Sequence, residues 1–476
     1  MSAIWYNISV SFEYCKFQGM LKMKIVIIGG GSVLWTPRLG CDLLLEPSLD
    51  GSEMCLVDID PQAAALCAAY LKCAVKQHKL RWSITVSDMD KALKGADLVL
   101  VSISTGGFEA MSHDITIPEK YGIYHSVGDT VGPGGISRTL RNVPVFLEIA
   151  RKMNRFCPDA WLIHVTNPLN QLTRAVEKSG LIQTVGMCHE YTGIMNMLQK
   201  FFGIEKRSDI DSLCIGVNHF TVLKNLKVKG VRDPEAQLTL DNYFAYEQEH
   251  SGELLSGTID DAVIKASGNP GKTIPYYFNF YVREKWGFFP MASSCHICES
   301  MPGCNISPEN LANLNIYRKD VLPGRPQRKA ERTQKIADIL KSGNAVPEMA
   351  LRSNEMFCDA AVGLLTGEPR RIIAAMRNCG QAADLPPDVT VETWALASRC
   401  GINPVASGKI PPRAKGLMEQ IIMEEELTVE AAMTGNFDTL IAALHNSPMV
   451  HDKSVVVPMA KELLQANKKY LPQFNI

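Results

Sequence analysis

Lys24–Ile28 (KIVII) is a β-branched run that ends on Gly29-Gly30-Gly31-Ser32, and the stretch that follows, Pro37–Leu45, has a helical pattern. A short apolar run bounded by glycine reads as a buried parallel strand. A strand, a glycine turn and a helix in that order restrict the fold more than any other feature of the chain. The pattern then repeats. Met54–Val57, Ser83–Val86 and Leu98–Ile103 read as strands, and the Ala-rich Gln62–Lys76 between the first two reads as a helix. Alternation at this spacing predicts an α/β fold with an N-terminal, doubly wound parallel sheet.

Trp161–Val165, Thr184–Met187 and Ser212–Val217 extend the series of strands. Each stops at a polar cluster: Thr166-Asn167-Pro168, Cys188-His189-Glu190 and Asn218-His219-Phe220. Ligands of open α/β sheets bind beyond the carboxyl ends of strands. After about residue 230 the pattern is mostly helical. The expected organisation is an extension over residues 1–22 outside the fold, a Rossmann-like domain over 23–200, and a mainly helical α+β domain over 201–476 that holds substrate and metal.

Composition narrows the function classes. Lys+Arg number 49 and Asp+Glu 50, so the chain has no electrostatic footprint for nucleic acid or an anionic membrane. No run of about 18 apolar residues is present, so no transmembrane helix is expected. Fourteen cysteines are scattered through apolar surroundings. That usage fits reduced thiols in a cytoplasmic enzyme better than a disulfide framework. Cys295, Cys298 and Cys304 have one zinc-like spacing, but no second Cys-x-x-Cys completes it.

Gly29, Gly30, Gly31 and Ser32 form a candidate phosphate-binding turn, and Ser104 follows the fourth strand. Leu34 stands where the third glycine of G-x-G-x-x-G would be, so the turn alone is also compatible with a ligand-free βα connection. Asp58, at the end of the second strand, can accept hydrogen bonds from adenosine ribose hydroxyls and disfavours a 2′-phosphate. NAD is therefore expected over NADP. Asp58 could instead cap the helix that follows. Cys188 and His219 are a thiol and an imidazole able to hold a divalent ion with positions open for substrate. The glycine-rich loop Ser126–Gly135 could bring Asp129 to a ligand, and Arg138 and Arg141 share a face of the turn that follows.

Taken together, these segments resemble glycoside hydrolase family 4, from about residue 23 to about 465. The residues that carry the resemblance are Gly29–Ser32, Asp58–Asp60, Gly128–Gly135, Thr166–Pro168, Cys188-His189, Asn218–Phe220 and Asn378–Glu392. Cys188-His189-Glu190, with Tyr121–Tyr124, looks most like the α-galacturonidase branch. The resemblance implies hydrolysis of α-glycosides of a uronic acid with NAD and a divalent metal, commonly Mn2+. It implies hydride removal at C3, deprotonation at C2, elimination, water addition and return of the hydride, an exception to two-carboxylate glycosidases. Cys188 and His219 match the metal ligands and His189 the proton donor. Asn167 and Asp129 match substrate-contacting positions, and Arg138 is expected to pair with the uronate carboxylate. A homodimer or homotetramer is also implied.

One departure stands out. Members of this branch tend to carry an acid shortly before a histidine in a stretch like 287–303. Here His296 is kept, but Ser294 occupies the acidic position. Tyr281 or Tyr277 is the alternative base. Other activities weighed are an α-glucuronidase or α-galactosidase of the same family, a lactate/malate-type NAD-dependent dehydrogenase, and a catalytically degenerate, nucleotide-binding regulatory protein.

Overall fold

The computed structural model describes residues 22–250, 275–316, 318, 321–353 and 355–475. The expected N-terminal extension lies outside the described residues, apart from Lys22.

The strands are β1 (Lys24–Ile28), β2 (Glu53–Val57), β3 (Ser83–Val86), β4 (Leu98–Val101), β5 (Trp161–His164), β6 (Thr184–Gly186), β7 (Ile210–Val217), β8 (Phe220–Val228), β9 (Arg370–Arg377), β10 (Thr390–Ser398) and β11 (Gly401–Pro404). They form one sheet in the order β3-β2-β1-β4-β5-β6-β9-β10-β7-β8, with β11 on β10. From β3 to β6 all pairings are parallel. Antiparallel pairing begins where β6 meets β9 through Gly186 and Ala375. The parallel strands are buried on both faces, as KIVII and LVLV predict: Ile25, Val26 and Leu98 to Val101 are fully buried. The sheet therefore runs across residue 200 without a break.

Two elements differ from the sequence pattern. The sequence pattern gives a helix over Val143–Asn154, yet the helix runs from Gly132 to Phe156 with Pro144 inside it. The loop glycines Gly132, Gly134 and Gly135 already lie in its first turn. β7 is joined to the sheet through antiparallel β10, so Asn218-His219 is the two-residue turn of the β7–β8 hairpin and not the end of a parallel strand. His219 takes the left-handed conformation (φ 62°) that such turns need.

Candidate active site

The first βα turn is packed against its neighbours. Gly29 has φ 89°, and a Cβ there would lie 2.0 Å from the Ser102 carbonyl oxygen. Gly29 and Gly30 both donate to the Val57 carbonyl, at 2.8 and 2.9 Å. The helix Thr36–Leu44 begins at Trp35 without a side-chain cap, so its terminal N–H groups have no side-chain acceptor. Asp58 accepts from Gly31 N at 2.8 Å and from Asp60 N at 2.9 Å. The helix cap is Asp60, which accepts from Gln62 and Ala63. Asp58 thus stands beside the turn rather than capping the helix.

The second cluster gathers around His219. Its Nε2 lies 3.5 Å from Cys188 Sγ, and its Nδ1 2.7 Å from Thr130 Oγ1. The His296 ring lies against it, tilted by 34°, at 3.8 Å between centroids. Asp129 Oδ1 is 4.0 Å from His219 Nδ1 and 3.8 Å from His296 Nδ1. Asn167 Nδ2 donates to Asp129 Oδ2 at 3.2 Å. Asp129, His219 and His296 offer ligand atoms within 4.8 Å of one another, all buried. A carboxylate, two imidazoles and an adjacent thiol form a suitable donor set for a divalent transition metal. Among the described residues this is the one group of three or more such ligands, so Cys295, Cys298 and Cys304 form no comparable site.

Electrostatics follow from burial and charge. Burial works against the Asp129 carboxylate, but His296, His219, Arg138 and Arg325 outweigh it and hold the group well below the usual range. Burial pushes the Cys188 thiol well up, and Glu392 and Glu190 add to this. A bound cation reverses that balance and favours the thiolate. Glu392 is buried and accepts from Asn218 Nδ2 at 2.7 Å. Burial raises its carboxyl to about 7.

The loop that carries Asp129 hangs on a buried glutamate. Glu299 Oε1 accepts from Val127 N (2.7 Å), Gly128 N (2.9 Å) and Ser126 Oγ (3.2 Å). His125 Nδ1 is 3.2 Å from the same oxygen. Because His125 Nε2 accepts from Gly134 N at 3.0 Å, Nδ1 carries the proton and donates to Glu299.

Arg138 and Arg141 are both buried, but they differ in partners. Arg141 makes a two-point pair with Asp114 (2.7 and 2.5 Å) and donates to the Thr105 carbonyl. Arg138 donates from Nε to the Asn167 carbonyl at 3.1 Å and reaches Ser104 Oγ at 3.5 Å, while its buried Nη1 makes no hydrogen bond. Burial lowers the Arg138 guanidinium to about 10, so it is charged at neutral pH. A charged, buried donor without a hydrogen-bond acceptor, beside Asn167 and Asp129, could receive an acceptor oxygen from a ligand.

His189, half-exposed, lies 3.5 Å through Nδ1 from Glu355. Ser294 opens the short helix that carries His296, and its hydroxyl donates to Asn279 Oδ1 at 2.9 Å. Tyr281 stacks on Phe278 and Tyr277 at 5.7 and 6.2 Å. The structure therefore brings Cys188, His219, Asp129, Asn167 and Arg138 together. It sets Ser294 on Asn279 and Tyr281 in an aromatic stack. Glu355 had no motif to announce it, and Thr130 and Glu392 lay inside the segments Gly128–Gly135 and Asn378–Glu392 without being singled out. His296 was visible only through the stretch 287–303.

Two family models match this chain: Family 4 glycosyl hydrolase over residues 24–204 and the Family 4 glycosyl hydrolase C-terminal domain over residues 214–450. An α-galacturonidase of Thermoanaerobacterium saccharolyticum is 33% identical over 476 residues, covering 95% of this chain and 97% of that protein. The crystal structure of a candidate glucosidase from Bacillus subtilis superposes with TM-score 0.81 at 29% identity, covering 93% of this chain and 100% of that one. A 6-phospho-α-glucosidase from gut microorganisms, solved in complex with NAD and Mn2+, shares the fold with TM-score 0.78 at 19% identity, covering 95% and 100%. The chain belongs to the family 4 glycosyl hydrolases.

Proposed function

We propose that this glycoside hydrolase is an NAD- and Mn2+-dependent α-galacturonidase. The observation that carries the substrate class is Arg138, whose buried Nη1 has no partner and faces no protein carboxylate at hydrogen-bond distance. A uronate carboxylate supplies that acceptor. Neutral sugars of the same family would offer that donor no charged acceptor.

The residues divide the work. Gly29, Gly30, Gly31, Ser32, Asp58 and Ser104 hold NAD, the pyrophosphate at the uncapped helix start and the ribose at Asp58. Cys188 and His219 hold the metal, and Asp129 and His296 stand within reach to complete the set. When bound, NAD+ supplies reversible hydride transfer at C3 and the cation supplies stabilisation of negative charge on the sugar oxygens. Asn167 and Asp129 orient the sugar ring, and Arg138 fixes its carboxylate. His189 gives a proton to the departing C1 oxygen. Ser294 has no useful basicity, and Tyr281, the alternative base, is held in an aromatic stack, so no base is assigned to the C2 proton. A homo-oligomer in a reducing cytoplasm fits this enzyme: none of the thirteen described cysteines is in a disulfide. No helix among the described residues is long and apolar enough to cross a membrane.

The test is release of p-nitrophenol from α-galacturonide, α-glucuronide and α-galactoside in parallel. Cleavage of the galacturonide, dependent on both NAD+ and Mn2+ and without net NADH, is expected. Cleavage that persists after complete removal of NAD would overturn the mechanism. Steady NADH build-up from a hydroxy acid would support the dehydrogenase instead.

A further inference from the structure

His189 stands at the N-terminal end of the helix Glu190–Phe201 with nearly half its side chain in solvent. An exposed imidazole on a turn has little to fix its χ angles, yet a proton donor must meet its acceptor within a few tenths of an ångström. The residue that faces it is Glu355. That glutamate is buried, although an acid is seldom buried without partners. Its Oε1 lies 3.5 Å from His189 Nδ1 and 3.6 Å from Arg38 Nη1.

Glu355 is itself held from the nucleotide side. Its N–H donates to Ser353 Oγ at 3.2 Å. Ser353 is tied to Asp42, its backbone N at 2.7 Å and its hydroxyl closer still. Arg38 and Asp42 both belong to Thr36–Leu44, the helix that follows the glycine turn. The Trp35 ring lies 6.1 Å from the His189 ring and 5.9 Å from the Arg38 guanidinium. A continuous set of contacts therefore joins the nucleotide-binding turn to His189, and Glu355 is its central link.

We propose that Glu355 is a positioning residue for His189: its carboxylate accepts from Nδ1, which sets the ring and leaves Nε2 as the nitrogen that delivers the proton. This rests on the glycosidase reading, in which His189 serves the leaving group. In that step, which starts from the imidazolium with a proton on each nitrogen, the Nε2–H bond breaks, an O–H bond forms on the glycosidic oxygen, the electron pair of the C1–O bond leaves with that oxygen, and the neutral ring keeps Nδ1–H on Glu355. The electrons that replace it at C1 come from C2 after loss of its proton. The arrangement works as a carboxylate does behind any catalytic histidine, by choosing tautomer and direction rather than by taking the proton.

A phenolate leaves without a proton, whereas an alkoxide needs one. The holoenzyme, with NAD+ and Mn2+, is assayed on p-nitrophenyl and methyl α-galacturonide. Glu355→Ala is expected to lower kcat at least tenfold on the methyl glycoside and less than threefold on the aryl glycoside, with KM unchanged within twofold. Glu355→Gln, which keeps an acceptor oxygen, is expected to restore most of the methyl activity. Nitrogen-15 NMR of labelled histidine, with the His189 signals identified by their loss in His189→Ala, is expected to show Nδ1 protonated in the parent. Equal losses on both glycosides, no loss on either, or an Nε2–H-only tautomer in the parent overturns the proposal. If the parent cleaves neither galacturonide, the substrate reading fails, while the NMR signature of the parent still decides the pairing.

Discussion

Two arginines three residues apart on one helix show what a sequence cannot separate. Arg138 and Arg141 lie on the same face of Gly132–Phe156, and both are buried. Asp114 and the Thr105 carbonyl satisfy Arg141, so its role is internal. Arg138 keeps a buried Nη1 without a hydrogen bond. A charge-assisted hydrogen bond is worth about 1.5–3 kcal/mol, roughly 10- to 100-fold in a rate constant. Arg138→Lys is therefore expected to lower kcat/KM on an α-galacturonide by about that factor, because an ammonium lacks the planar fork. Steady-state kinetics check this; equal losses on a neutral α-galactoside would refute carboxylate recognition. A motif or a strand end singled out Cys188, Asn167 and His219, and the structure gathers these three around Asp129. Glu355 was not singled out, since only the fold brings it across 166 positions to His189. Ser294 was legible as an anomaly, and its bond to Asn279 shows a hydroxyl spent within the protein.

At the scale of elements, the Asp129 loop depends on one side chain from a distant helix. Glu299 accepts from two backbone N–H groups, a hydroxyl and an imidazole. Glu299→Ala leaves the two backbone N–H groups and the imidazole without this acceptor, while Ser126 keeps the Cys295 carbonyl, and the loss costs on the order of 3 kcal/mol or more. A lower urea midpoint is expected, and with it a weaker affinity for Mn2+, since Asp129 loses its support. Unchanged stability in Glu299→Ala would show that the loop is held by other contacts, such as Gly132 N on Glu424. The parallel strands were readable because Val and Ile dominate them. β9 was not, because the paired Arg, Ile and Ala of RRIIAAMR show no period of two; β10 went unread although TVETWALAS carries strand-favouring Thr, Val and Trp. Their place between β6 and β7 decides their conformation. The hairpin turn at Asn218-His219 was likewise read as the end of a parallel strand, because a period of two does not reveal direction.

At the scale of the whole molecule, one sheet joins both halves, and the helix Pro412–Thr434 packs against the start of Gly132–Phe156. That junction carries an acid with a raised affinity for protons. Glu424 is buried and accepts from Gly132 N at 2.8 Å. Burial raises its carboxyl from 4.5 to about 7, and Glu299 adds to the rise; Ser447, Gly132 and His125 oppose it. Glu425, its neighbour in sequence, is buried as well and pairs with Asn170. A folded-state value above the unfolded one means that the folded chain binds more protons between them. The stabilisation is then full below about 4.5 and is lost as pH rises through about 7. Between pH 5 and pH 8 this group should withdraw on the order of 2 kcal/mol of stability. Glu424→Gln keeps an oxygen for Gly132 N and has nothing to ionise. Urea unfolding at the two pH values should therefore show a smaller loss in Glu424→Gln than in the parent, and the variant should be the more stable of the two at pH 8. An identical pH dependence would mean that water or a shift of the helix relieves the buried charge. The same experiment in the presence of NAD+ and Mn2+ separates junction from active site, because ligand binding adds stability to parent and variant alike.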